Sequence, residues 1–183
     1  MTIFKENLPI FKFAVREDLN KENLPIFKFA VREDLKDCDI SFLPERAEPY
    51  ATGWDVKAAP KDRLPIIIEP GQYFKIPLGF RAFPPDGWWL QLFPRSSSLT
   101  KKHMHNLIGI IDEHYSLEIL FAGQYCPDPV FRPPLKIQFG EAIGQIIPVK
   151  REIIITQNIG NEEFDDLCSA RQSVRNGGFG STS

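Results

Sequence analysis

Few features of this chain of 183 residues would suit a membrane or secreted protein. No apolar run comes near the roughly 18 residues that a membrane span requires, so we expect no membrane partner. The first residues lack the uninterrupted apolar stretch of a secretory signal. The three cysteines stand 88 and 42 residues apart and suit neither a disulfide framework nor a zinc knuckle. We therefore expect reduced thiols in a cytoplasmic protein, or one of the host cytoplasm if the source is viral.

The chain also lacks an excess of basic charge and several common catalytic motifs. Its 22 basic and 24 acidic residues give a net charge of −2, which argues against a nucleic-acid partner. It has no G-x-x-x-x-G-K-S/T phosphate loop and no G-x-S-x-G elbow, which disfavours P-loop and α/β-hydrolase folds. His103 and His105 diverge on a helix, and the three histidines form no recognisable ligand pattern, so we predict no metal site built from protein side chains.

Apolar residues and prolines, by contrast, are abundant. The apolar fraction of 43% is enough for one packed domain, and sixteen prolines favour short strands joined by turns. Extended segments recur roughly every ten residues, which predicts an antiparallel β sandwich or barrel. Strands are predicted at 26–31, 64–68, 73–80, 87–93, 108–111, 116–121, 135–139 and 142–149. One short helix is predicted, at 97–105.

A segment at 5–19 recurs without a single change at 21–35. Two copies at a period of 16 residues are too few and too short for a repeat architecture. We predict that the second copy supplies a native strand and that the first is surplus. The predicted organisation is a surplus copy at 1–20, a β-barrel domain at 21–167 and a flexible Gly/Ser-rich tail at 168–183.

Two segments carry residues suited to chemistry, and each allows two interpretations. In P-R-S-S-S-L at 94–99, an Arg and three Ser residues stand where a strand turns into a helix. They form either an anion site or an ordinary Ser cap beside a surface Arg. In G-I-I-D-E-H-Y at 109–115, Asp112 follows an apolar strand. It is either a turn residue or a general base at the mouth of a pocket.

Five segments, in order along the chain, resemble the five motifs of the trimeric dUTP diphosphatases (dUTPases). They are A-T-G-W-D-V-K-A at 51–58, P-R-S-S at 94–97, G-I-I-D-E-H-Y at 109–115, G-E-A-I-G-Q-I-I at 140–147 and R-N-G-G-F-G-S-T at 175–182. The third and fifth are specific, whereas the first and fourth would be weak alone. The resemblance covers residues 51–183, and 21–50 fits the first strand of the family more loosely.

The resemblance implies an all-β fold, a jelly-roll-like β-barrel of the dUTPase type with one short helix. It implies a hydrolase of nucleotide metabolism that converts dUTP to dUMP and pyrophosphate, with Mg²⁺ held mainly by the triphosphate. It also implies a homotrimer whose active sites are each built from three chains. The tail would close over the site and exclude water.

The resemblance further implies a role for each matching residue. Asp112 would be the base that activates the water attacking the α-phosphorus, and Tyr115 would pack under the deoxyribose and leave no room for a 2′-hydroxyl. The uracil pocket would be lined by Asn106 and the backbone of 107–111, including Gly109 and Ile111. The phosphates would be held by Arg95, Ser96, Ser97 and Gln145, with Asp55 in support. In the tail, Phe179 would stack on uracil, and Arg175, Gly180, Ser181 and Thr182 would bind the substrate near its phosphates.

The chain departs from the family pattern at several positions. Leu117 replaces a usual Gly, and Ala142 replaces a usual basic residue. Arg175 lies one residue closer to Phe179 than is usual. An additional Ser leaves open which of 96–98 contacts phosphate, and the stretch 121–139 is longer than in other members.

Two other functions stay open at this point. A dCTP deaminase, alone or combined with dUTPase activity, shares the fold and the Arg-Ser-Ser segment, with Glu118 as its candidate catalytic residue. A nucleotide-sensing regulatory protein on the same scaffold would act through the long stretch 121–139 or the duplicated N-terminus.

Overall fold

The structure, a computed structural model, describes residues 24–130 and 132–171. These residues divide into two compact units, 24–151 and 152–171. The strands of the first unit are β1 (Lys28–Val31), β2 (Trp54–Lys57), β3 (Ile66–Ile68), β4 (Tyr73–Pro77), β5 (Phe80–Phe83), β6 (Trp88–Pro94), β7 (Met104–Asn106), β8 (Gly109–Ile111), β9 (Leu120–Tyr125), β10 (Leu135–Ile137) and β11 (Ala142–Lys150). The helices are α1 (Ser96–Thr100) in the first unit and α2 (Asn161–Ala170) in the second.

The strands pair into four antiparallel sheets. The largest has the order β2-β11-β6-β8, and a second has the order β4-β9-β7. Two smaller sheets pair β1 with β5 and β10 with β3. Neighbours in a sheet are often distant in sequence, so the first unit is closed by long-range pairing. The prediction of an all-β fold is confirmed.

Alternation along the strands puts one set of side chains into the core. In β4, Phe74 and Ile76 are buried while Lys75 between them is exposed, which is the period of two expected of a half-buried strand. Phe121 of β9 is fully buried and lies against Gly144 of β11, where a Cβ would stand 2.8 Å from the ring. Glycine at 144 therefore lets the two large sheets close on the Phe121 ring.

The predicted helix at 97–105 is wrong in extent. Helix α1 ends at Thr100, and the end of the predicted helix forms β7 instead. The chain turns at His103, which has a left-handed φ of 51° and donates its backbone N–H to the carbonyl of Leu99 at 3.0 Å. This turn stops the helix after little more than one turn and directs the chain into the β4-β9-β7 sheet.

The secondary-structure predictions need three further corrections. The segment 73–80 is two strands, because Gly79 has a φ of 77° that a continuous strand does not tolerate. The strand predicted at 116–121 begins only at Leu120 and continues to Tyr125. Helix α2 lies in a polar segment for which no helix was predicted, and its first turn carries Glu162 and Glu163, which favours a helix N-terminus.

The second copy of the duplicated segment forms β1 and the 3-10 turn Glu33–Leu35 that follows. β1 pairs with β5 in antiparallel register, and Phe29 meets the Phe80 ring edge-on at 5.7 Å. Leu35 is buried in a small cluster with Phe42 and Ala59. The first copy lies outside the described residues, so its predicted redundancy stays a prediction.

The second unit is described from Glu152 to Arg171. Ile153, Ile154 and Ile155 are all exposed, and α2 follows with Phe164 and Leu167 exposed. The predicted boundary between barrel and tail, at 167/168, falls inside α2. Over the described residues, no helix is long and apolar enough to cross a membrane.

We predict that deleting residues 5–20 leaves the melting temperature and the oligomeric state unchanged, because the identical segment 21–35 already provides β1. Thermal unfolding and light scattering test this. A matched pair of substitutions serves as the control. Phe29→Ala is expected to cost about 2–3 kcal/mol, since it removes the edge-on contact with Phe80, and Phe13→Ala in the first copy is expected to cost nothing. Equal effects of the two substitutions would contradict the assignment of β1 to the second copy.

Candidate active site

The sheet order brings three of the predicted phosphate-side residues together. β11 lies between β2 and β6, and Gln145 of β11 is opposite Asp55 on one side and Phe93 on the other. Arg95 follows β6 and places Nη1 at 3.1 Å from Oδ2 of Asp55. The Gln145 amide donates from Nε2 to the carbonyl of Pro94 at 3.4 Å. A guanidinium and an amide, both suited to bind anionic oxygens, therefore lie beside a carboxylate that orients the guanidinium.

Close packing of the backbone supports this cluster. A Cβ at Gly53, just before β2, would collide with the amide of Gln145. Glycine at 53 therefore leaves the space that the Gln145 side chain occupies.

The three serines of the segment 94–99 have different environments. Ser98 is buried, and its Oγ donates to the carbonyl of Ile143 at 2.8 Å, which fastens α1 to β11. Ser96 is exposed and Ser97 is partly exposed. Ser98 is thus committed to the fold, and the hydroxyls of Ser96 and Ser97 are the two that a ligand can reach.

Lys102 is a residue that no sequence pattern singles out. Its ammonium forms an ion pair with Glu141, directly before Ala142, and burial lowers the pKa of Lys102 below its ordinary value. The Lys102 cation, just after α1, therefore lies beside Ala142, the position at which the family usually has a basic residue. The pairing joins residues 39 positions apart, which no local pattern reveals.

Asn106, Gly109 and Ile111 lie on two edge strands. Among the described residues, β7 ends the β4-β9-β7 sheet and β8 ends the β2-β11-β6-β8 sheet, so each has a free backbone edge. Asn106 is opposite Gly123, where a Cβ would stand 2.6 Å from the carbonyl of His105. Glycine at 123 therefore permits the close approach of β7 to β9 at the position of Asn106.

The side-chain amide of Asn106 is buried, and neither Nδ2 nor Oδ1 has a hydrogen-bond partner among the described residues. A buried amide without partners costs free energy, since both its donor and its acceptor have lost water. The amide is therefore ready to receive a ligand that presents one donor and one acceptor.

The third motif continues from β8 into a loop. Asp112 is exposed, and its carbonyl accepts the backbone N–H of Tyr115 at 3.0 Å. The Tyr115 ring packs against the core, and its hydroxyl donates to the carbonyl of Glu118 at 3.3 Å. A cavity of about 390 Å³ beside Asp112 is lined by aromatic rings and an ion pair, namely Trp88, Trp89 and the pair Glu113–Arg151.

One chain does not bring Asp112 to the phosphate side. Leu90 of β6 is opposite Ile111 of β8. Counted along β6, Asp112 is therefore one position from Leu90 on one side, and Arg95 is five positions from Leu90 on the other side. Six residues of extended strand span about 20 Å. This separation exceeds the reach of the Asp112 and Arg95 side chains toward each other within one chain.

The fifth motif lies outside the described residues, so the predictions for Arg175, Phe179, Gly180, Ser181 and Thr182 stay predictions. Over 24–130 and 132–171, no group of three or more His, Cys, Asp or Glu side chains could hold a metal ion.

Comparison with known proteins identifies the family. No family model matches the chain. It is 31% identical over 144 residues to the deoxyuridine 5′-triphosphate nucleotidohydrolase of Hahella chejuensis, covering 76% of this chain and 86% of that protein. It is 35% identical over the same length to the protein of that name from Wolbachia pipientis, with the same coverage. The chain belongs to the dUTPase family.

A solved structure agrees with this assignment. The dUTPase of Streptococcus mutans matches with a TM-score of 0.59 at 25% identity, over 70% of this chain and 98% of that one. The prediction of a jelly-roll-like barrel of the dUTPase type is therefore confirmed.

Glu118, the candidate catalytic residue of the deaminase alternative, is held by two hydrogen bonds in this fold. Its Oε1 accepts hydrogen bonds from Nη1 of Arg32 and from the backbone N–H of Gly79, both at 2.9 Å. A carboxylate held in this way serves the fold, which argues against the deaminase alternative.

We predict that substitution of Ser98 lowers stability, whereas substitution of Ser97 raises KM. Ser98→Ala leaves the carbonyl of Ile143 unpaired and is expected to lower stability by about 1–3 kcal/mol, with little change in KM. Ser97→Ala is expected to raise the KM for a triphosphate about fivefold at unchanged melting temperature, since it removes one reachable hydroxyl. Thermal unfolding and steady-state kinetics separate the two. A higher KM for Ser98→Ala than for Ser97→Ala would contradict the assignment.

Proposed function

We propose that the chain hydrolyses dUTP to dUMP and pyrophosphate, with Asp112 as the general base. The carboxylate of Asp112 accepts a proton from a water molecule while the water oxygen attacks the α-phosphorus. The bond between the α-phosphorus and the bridging oxygen then breaks, and pyrophosphate leaves with the electron pair. A carboxylate exposed at the end of an edge strand, beside a cavity, is accessible for this role.

The unpaired amide of Asn106 is the observation that carries the placement of the pyrimidine base. Uracil presents an N–H donor and two carbonyl acceptors, which an amide complements. The free backbone edges of β7 and β8 add further fixed donors and acceptors. Binding uracil would give the Asn106 amide the partners that it lacks, so the base contributes more affinity here than in a site that is already satisfied.

The remaining predicted residues would contact the sugar, the phosphates and the exposed face of the base. The half-buried Tyr115 ring would pack under the deoxyribose and exclude a 2′-hydroxyl. Arg95, Ser96, Ser97 and Gln145 would hold the phosphates, with Asp55 orienting the guanidinium of Arg95. In the tail, Phe179 would stack on uracil, while Arg175, Gly180, Ser181 and Thr182 would bind the phosphate side when the tail closes.

Mg²⁺ fits this site as a partner of the substrate phosphates. Asp55, the carboxylate of the phosphate-side cluster, is engaged by Arg95, and the described residues gather no three-ligand metal cluster. Mg²⁺ commonly keeps water and phosphate oxygens as ligands. When bound with the triphosphate, it would supply charge neutralisation at the phosphates.

The separation of about 20 Å between Asp112 and Arg95 supports a homotrimer with shared sites. Asp112, Tyr115 and Asn106 would come from one chain, Arg95 and Gln145 from a second, and the tail from a third. A cyclic arrangement repeats the same contact at every interface, so each protomer contributes to three sites.

The state of the cysteines bears on the compartment. Cys38, Cys126 and Cys168 are free thiols in the described residues, which fits a reducing compartment, so we propose that the enzyme acts in the cytoplasm.

Pyrophosphate release with Mg²⁺, compared for dUTP, dCTP, dTTP and UTP, tests the proposed function. We expect turnover of dUTP alone. In Asp112→Asn, turnover is expected to fall roughly 10²–10⁴-fold, since the base is removed, while dUTP binding by calorimetry is retained. Ammonia release from dCTP would favour the deaminase, binding of dUTP without turnover the nucleotide-sensing protein, and full turnover in Asp112→Asn would disprove the role of the base.

Mixing two inactive variants tests the shared site. We expect Asp112→Asn and Arg95→Ala each to lose activity, and chains unfolded together and refolded to regain it. With random assembly, about a quarter of the sites receive both native residues. The control is the same mixture without refolding, which should stay inactive. Mixed oligomers that stay inactive would show that one chain supplies both residues.

A further inference from the structure

A group of charged residues at the end of β1 is not used by the mechanism proposed above. Arg32 directs Nη1 to Oε1 of Glu118 at 2.9 Å, and Nε and Nη2 to the two carboxylate oxygens of Asp34 at 2.6 and 3.0 Å. Its side chain is only 17% exposed. The hydrogen bond with Asp34 raises the pKa of Arg32 and lowers the pKa of Asp34, so both stay charged.

Backbone contacts turn this group into a closed clamp. The Oε1 atom of Glu118 also accepts the backbone N–H of Gly79 at 2.9 Å. The carbonyl of Gly79 in turn accepts the backbone N–H of Arg32 at 2.8 Å. Arg32, Gly79 and Glu118 therefore fix one another, and the end of β1 is joined to the residue that closes the loop 112–118.

The clamp is connected to the Tyr115 ring. The carbonyl of Glu118 accepts the hydroxyl of Tyr115 at 3.3 Å, and the carbonyl of Asp112 accepts its backbone N–H at 3.0 Å. The ring is thus held at both its backbone and its tip. The tip is bonded to the backbone carbonyl of Glu118, the residue whose side chain Arg32 binds.

We propose that Arg32 is a positioning residue that acts through Glu118 to hold the Tyr115 ring against the sugar of the substrate, and so sets the preference for dUTP over UTP. This inference rests on the proposed role of Tyr115 in the active site. A looser ring would leave room for a 2′-hydroxyl, so the loss would fall on discrimination more than on turnover of dUTP. The planar fork of Arg32 contacts both oxygens of Asp34 and one oxygen of Glu118, a geometry that the single ammonium nitrogen of Lys does not reproduce.

Two substitutions serve as matched controls. Asp34 binds the opposite side of the same guanidinium and makes no hydrogen bond to the loop 112–118, so Asp34→Asn removes a comparable ion pair and leaves the contact of Arg32 with Glu118. Arg16 has the same sequence neighbours as Arg32 in the first copy, so Arg16→Met changes the chain identically outside β1.

The test is the ratio of kcat/KM for dUTP to that for UTP in Arg32→Met, a substitution that keeps the length of the side chain but removes the donors. We expect this ratio to fall about tenfold, the effect of losing a hydrogen bond to a charged group. The ratio should change less than twofold in Asp34→Asn and Arg16→Met. Arg32→Lys, which keeps one contact, should recover part of the ratio and replaces Arg32→Met if the latter does not fold.

Hydrogen exchange of the Gly79 amide provides a readout that does not need turnover. We expect faster exchange in Arg32→Met than in Asp34→Asn, since Glu118 would be less well fixed. A dUTP/UTP ratio in Arg32→Met equal to that in Asp34→Asn would overturn the proposal. If the native chain does not hydrolyse dUTP, the proposed function fails. The clamp is then tested by hydrogen exchange alone, and equal exchange of the Gly79 amide in Arg32→Met and Asp34→Asn would overturn it.

Discussion

The pairing of β11 with both β2 and β6 is the contact on which the phosphate side of the site depends. It places Gln145 opposite Asp55 and brings Arg95, from the end of β6, within 3.1 Å of the Asp55 carboxylate. A shift of one residue in this register would turn Gln145 to the opposite face of the sheet. The bulge between Ala142 and Gly144 and the packing of Gly144 on Phe121 both resist such a shift. Core packing and site geometry are therefore specified together.

Strand pairing also separates Asp112, the proposed base, from Arg95, which is proposed to bind phosphate. β6 pairs with β8, which fixes Asp112 and Arg95 about 20 Å apart along a strand that cannot be shortened. Flexible loops could not close this distance without unpairing β8. In the proposed function, association of chains would bring Asp112 to the cluster of Arg95 and Gln145, and activity would then require the oligomer.

The sequence was sufficient to predict the all-β class and to select Asp55, Arg95 and Gln145, because both the period of two and the motifs are local in the chain. It was not sufficient to separate Ser98 from Ser97, since the partner of Ser98 is a carbonyl 45 residues away. The clamp of Arg32 with Glu118 spans 86 residues and was hidden for the same reason. The predicted helix extends too far because His103 adopts a left-handed backbone conformation. Tertiary packing imposes this conformation, and local helix propensity carries no information about it.

Asn106 alone does not explain a preference for uracil over cytosine. A side-chain amide can rotate by half a turn, so its donor and acceptor can exchange places and match the N–H and carbonyl of uracil or the ring nitrogen and amino group of cytosine. A backbone edge has no such freedom, because each N–H and C=O has a fixed direction once the strand is paired on its other side. In the proposed function, the choice of base would therefore rest with the free edge of β8, held in place by β6, while the buried amide of Asn106 would supply affinity.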